Sequence, residues 1–139
     1  MEKRNTFLEN LGSAAQVMMR SAAYGQYPIA CLSVWIEPAI LLEQIHFFCD
    51  PNDRVIGYVT WAFLAPDVEE RLIYDPDVLL HLSEWNEGDR LWIMDFVVHD
   101  HRIKDHISET FALFPDYEEA KSLRRRDDGS VRKIVTWYR

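Results

Sequence analysis

Two apolar runs joined by a short turn constrain this chain most: "EQIHFFCD" (43–50), then "PNDR" (51–54), then "VIGYVTWAFL" (55–64). Rich in aromatic and β-branched residues and bounded by turn formers, they read as an antiparallel hairpin. "RLWIMDFVV" (90–98) is a further strand of the same kind, and "IACLSVWI" (29–36) reads as another, ended by Pro38. "KSLRRR" (121–126) and "VRKIVTWY" (131–138), with "DDGS" (127–130) between them, predict a second hairpin.

Helical periodicity fills the intervals. Phe7, Leu8, Leu11, Ala15 and Met18 share one face over residues 4–20, and Gly25 and Pro28 break that helix. "PDVEERLIY" opens with Pro and acidic residues, as a short helix does, and "KDHISETFALF" (104–114) is stopped by Pro115. Hairpins mixed with helices predict one α+β domain over residues 1–139, built on a mostly antiparallel sheet flanked by helices.

Composition narrows the function. At 48% hydrophobic the chain has enough apolar side chain for a core. No apolar run approaches the roughly 20 residues of a membrane span, and "MEKRNTFLENLG" has no signal-like apolar stretch. Cys31 and Cys49, the only cysteines, lack metal-ligand spacing, so a reduced cytoplasmic protein is expected. A net charge of −8 argues against nucleic acid as the main partner.

Asp95 stands out within its apolar strand, because an unpaired buried charge is expensive. It either bonds backbone N–H groups or Arg90, or it serves chemistry. The surrounding residues decide. "YPIACLSVWIEPAI" (27–40), "VIGYVTWAFL" (55–64), "WNEGDRLWIMDF" (85–96) and "LFPD" (113–116) are, in order and spacing, similar to the toxin-activating lysine acyltransferases. That family attaches fatty acyl groups to internal lysines of RTX toxins. The resemblance covers about Leu8 to Trp137; the chain ends at Arg139, without the tail expected beyond the last strand.

The resemblance implies a GNAT-like fold, an acyl-carrier protein as donor, a lysine-bearing toxin or peptide as acceptor, and a cytoplasmic homodimer. No bound cofactor is expected: the acyl-phosphopantetheine thioester, on the carrier or on coenzyme A, is a co-substrate. It implies catalysis by Asp95 with a His of a Ser-x-x-His stretch. Here that stretch is "SAAY": Ser21 matches, and Tyr24 stands where the His is expected. A tyrosine, with pKa near 10, donates a proton or hydrogen bond more readily than it accepts a proton at neutral pH. Asp95 is therefore expected to orient or deprotonate the lysine amine, and Tyr24 to protonate the leaving thiolate. Backbone N–H groups beside the strand would hold the oxyanion. The alternative is an inactive relative that binds a carrier protein, an acyl chain or a peptide.

His99 and His101 follow the Asp95 strand and are further catalytic candidates, or else solvated loop residues. "HDH" is too short a set for a metal site, so no metal is expected; His46 and His81 read as structural. In GNAT folds the loop after this strand meets the phosphates of coenzyme A through glycines; here it has none, which fits a carrier-protein donor. Arg124, Arg125, Arg126, Arg132 and Lys133 read either as outward charges of a hairpin or as a dock for an acidic carrier. Trp35, Phe47, Phe48, Trp61, Phe63 and Trp92 read as core, or in part as the lining of an acyl slot.

Overall fold

The computed structural model describes residues 2–126 and 130–139; residues 127–129 of the expected second turn lie outside them. The elements are α1 (Glu2–Arg20), α2 (Glu37–Leu41), β1 (Ile45–Cys49), β2 (Val55–Leu64), α3 (Pro66–Tyr74), β3 (Arg90–Val98), α4 (Ile103–Ala112), β4 (Glu119–Arg125) and β5 (Val131–Tyr138). One five-stranded sheet runs β1-β2-β3-β4-β5. All neighbours are antiparallel except β3 and β4, which run parallel with α4 as the crossover. This is the α+β architecture expected, and both hairpins form.

The first turn is held by the Asp50 carboxylate, which accepts the backbone N–H groups of Asn52 and Arg54, each at 2.9 Å. Gly88 is a steric requirement: a Cβ there would lie 2.1 Å from the Leu64 carbonyl carbon.

The segment 29–36 is a correction. It is helical, not a strand: a π-helical turn at Leu32–Ile36 leads directly into α2. A short apolar run does not separate strand from helix by its pattern alone. Packing decided the matter, since Ile36 and Ile40 bury against Val17 and Met18 of α1 while Ala39 enters the core under α3. The wide turn precedes Pro38, whose ring and missing N–H disfavour an ordinary helical turn there.

Each face of the sheet is covered. On one, Phe111 of α4 and Phe114 just past its end pack against Phe48, Val59, Trp61, Leu91 and Ile93. On the other, Tyr58 and Val97 meet α1, while Ala62, Leu64 and Trp92 meet α2, α3 and Trp85. Trp92 keeps its indole N–H satisfied by donating to Glu69 at 2.7 Å, and Glu69 in turn takes Arg90.

Candidate active site

A bulge sets the site. Thr60 of β2 lies opposite Asp95, but Trp61 lies opposite Ile93, so β3 carries one residue more than its partner. Strict alternation would send Asp95 to the side of Ile93, under α4. Instead Met94 packs with Trp92 on the α3 side, and Asp95 follows it on that same face; Phe96 then returns to the α4 side. Thr60 secures the irregular point, its Oγ1 accepting the Asp95 backbone N–H at 3.0 Å.

Tyr24 arrives from the other side. The chain leaves α1 and forms a short 3-10 turn, Tyr24–Gln26, in which Ser21 Oγ accepts the Tyr24 N–H at 3.2 Å. The Tyr24 hydroxyl donates to Asp95 Oδ1 at 3.0 Å. Its ring lies 5.1 Å from that of Tyr27. The Tyr58 hydroxyl is buried and has no hydrogen-bond partner among the described residues.

Burial dominates the electrostatics here. It pushes the Asp95 carboxyl up to about 7, against the Tyr24 hydrogen bond, which favours the charged form. Burial first, and the Asp95 charge second, hold the Tyr24 phenol far above its ordinary range. Tyr58 and Tyr27 are raised for the same two reasons. Tyr24 is thus a very weak acid, chiefly because it is buried.

Asp95 and Tyr24 face a cavity of about 950 Å³ on the face opposite α4. It opens where β3 and β4, paired only at Trp92–Ile93 with Lys121–Ser122, cease to be bonded. Tyr24, Gln26, Tyr27, Cys31, Asp77, Asp95, Arg125 and Arg126 bring polar side chains to its lining.

The other candidates lie elsewhere. His99 Nε2 sits 2.8 Å from the Val17 carbonyl oxygen, tying the end of β3 to α1; His101 is exposed, and neither lines the cavity. Arg124 is exposed and faces Lys133 across the hairpin, with Arg132 exposed beside it. Arg125 turns inward and donates to the Leu72 carbonyl in the last turn of α3, and Arg126 donates to the Val131 carbonyl at 3.0 Å. His46 meets Glu109 at 2.6 Å, and the His81 backbone N–H donates to Glu84 at 2.9 Å. Among the described residues no three His, Cys, Asp or Glu side chains gather as metal ligands would.

Sequence reasoning missed Thr60, Tyr27 and Tyr58 as neighbours of the site. It also missed His106, buried in α4, whose Nε2 lies 2.9 Å from the Asp100 carboxylate. Thr60 had a signal, as the one hydroxyl-bearing aliphatic in an otherwise apolar strand; the tyrosines had none, because aromatic residues read as core.

Fold and site together define an α+β domain with a half-buried carboxylate facing a cleft lined by polar and apolar groups alike. The family model of the RTX toxin acyltransferase family matches residues 3–138, and the chain belongs to that family. It is 28% identical over 142 residues to the leukotoxin-activating lysine-acyltransferase LtxC of Aggregatibacter actinomycetemcomitans, covering 99% of this chain and 80% of that one. It is 30% identical over 127 residues to the protein-lysine palmitoyltransferase CyaC of Bordetella bronchiseptica, covering 89% and 66%. An uncharacterized Synechocystis protein, sll0720, is 29% identical over 136 residues, covering 94% and 90%.

Proposed function

We propose that this protein transfers a fatty acyl group from the phosphopantetheine thioester of an acyl-carrier protein to the side-chain amine of a lysine in a protein or peptide. The observation that carries the reading is the 3.0 Å hydrogen bond from Tyr24 to Asp95 at the cavity mouth.

The neutral amine attacks the thioester carbonyl carbon. A nitrogen–carbon bond forms, and Asp95 takes a proton from the nitrogen as it acidifies. Neutralising Asp95 removes the second of the influences that hold the Tyr24 phenol high, burial being the first, and Tyr24 gives its proton to sulfur as the carbon–sulfur bond breaks. The proton on Asp95 passes across the hydrogen bond to Tyr24, and a second proton loss to solvent resets Asp95 only if the amine entered as ammonium. Net transfer of one proton from nitrogen to sulfur yields amide and free thiol. Backbone N–H groups beside the bulge are the donors for the carbonyl oxygen. Thr60 is a positioning residue, since it touches Asp95 and not the reacting atoms.

The carrier-protein donor is supported by the start of α4. Asp100 there accepts the Arg102 backbone N–H at 3.2 Å and pairs with His106, so a carboxylate stands where a diphosphate would seek a helix N-terminus. The exposed cations Arg124, Arg126, Arg132 and Lys133 supply a basic surface for an acidic carrier. The homodimer and cytoplasmic setting implied by the resemblance belong to the same reading.

Asp95→Asn tests it. With an acyl-carrier donor and a lysine peptide, turnover is expected to fall about a hundredfold or more, the usual scale for an acid or base. Full activity in Asp95→Asn and Tyr24→Phe alike would move the site away from this pair, to His99 and His101. A wild-type protein that binds the donor but transfers nothing would be the inactive relative.

A further inference from the structure

Part of the cavity lining is built from apolar side chains that offer no free side-chain hydrogen-bonding group. Trp92, Leu72, Val78 and Leu123 form this part, the floor, and the first three are buried. The Trp92 indole N–H, the only side-chain donor among them, is already given to Glu69. Trp35 and Met94, both half-buried, complete the wall. A pantetheine arm or a peptide laid here would bring amides to a surface with no side-chain partner for them, which costs free energy. A hydrocarbon chain needs no partners, and the flexible Met94 side chain can adjust to it.

We propose that this floor is the subsite for the acyl chain, entered from the Asp95 side, and that Leu123 and Val78 set how long a chain it accepts. The proposal rests on the acyl-transfer reading for its choice of ligand, but its test does not need transfer. Leu123 is suited to the role because it lies on β4 just past the point where β4 stops pairing with β3, half-buried and facing the same cavity as Asp95. Arg125, two residues on, ties β4 to the last turn of α3 through the Leu72 carbonyl and so fixes the spacing of the two walls.

The probe is a series of non-hydrolysable saturated acyl-pantetheine amides, from butyryl to palmitoyl, with binding measured by calorimetry. For the wild type, affinity is expected to rise about fourfold per added methylene until the chain fills the floor, then level off. Leu123→Trp should bring the levelling to a shorter chain, and Leu123→Ala should carry it to a longer one. Val78→Phe is the second shortening variant, used if Leu123→Trp lacks a cooperative thermal transition. Affinity independent of chain length in the wild type overturns the proposal. So do variants that shift every chain length by the same factor, as a purely structural effect would. If the length series behaves as expected while no transfer occurs, the acyl-transfer reading fails and the subsite stands. Transfer without length dependence removes the subsite and leaves the acyl-transfer reading in place.

Discussion

Two influences of opposite sign act on the Asp95 carboxyl group. Burial raises its pKa and the Tyr24 hydrogen bond lowers it, with the balance at about 7. Tyr24→Phe removes only the lowering influence. If Asp95 is the base, the variant's activity should still rise with pH, but its midpoint should move above that of the wild type. A pH–rate profile with an unmoved or lowered midpoint would show that another group titrates. The same carboxyl also bears on stability. Its pKa in the unfolded chain is about 3.9, so between about pH 4 and 7 the folded state binds more protons than the unfolded one. Stability contributed by this group therefore declines as pH rises through that window. Asp95→Asn should gain stability over the wild type progressively across it and hold a constant advantage above, as read by denaturant unfolding at each pH. A carboxylate among apolar residues was legible in the sequence as an oddity. What was not legible is what surrounds it, because Tyr27 and Tyr58 are indistinguishable in a string from aromatics that merely fill space.

Among the elements, the strands of both hairpins were readable because strand-forming residues are bounded by turn formers. The segment 29–36 was not, since its choice of helix depends on Val17 and Met18, far away in sequence. The bulge at Met94 and Asp95 was equally hidden, because no residue type there demands it. Yet it determines which layer Asp95 joins. Met94 is the extra residue in that count, and deleting it leaves Ile93, Asp95 and Phe96 in ordinary alternation on the faces they already occupy. The deletion is therefore expected to fold with a cooperative thermal transition, its loss confined to the cavity wall. Deleting Val59 from the middle of β2 has no such escape and should abolish that transition, since its neighbours would exchange faces.

For the molecule as a whole, charge is unevenly spread: a chain of net charge −8 carries Arg124, Arg126, Arg132 and Lys133 exposed on one hairpin. Arg124→Glu with Arg126→Glu spares the inward-turned Arg125, so the wall of the cavity is kept. Carrier binding should weaken, and its decline with added salt should flatten. Equal affinity and equal salt slope in the two proteins would remove the hairpin as the dock. The strand order has its own consequence. Because β1 to β5 lie side by side in the order in which they are written, each strand finds its place next to the one made before it. A ribosome therefore delivers the pieces in the order of assembly, and little of the chain must wait for a distant partner. The hydrogen bond between Tyr24 and Asp95, 71 residues apart, becomes available once β3 has emerged. Leu123 and Arg125, the far wall of the cavity, come last. During synthesis, the reacting pair is in place before there is a slot for anything to react.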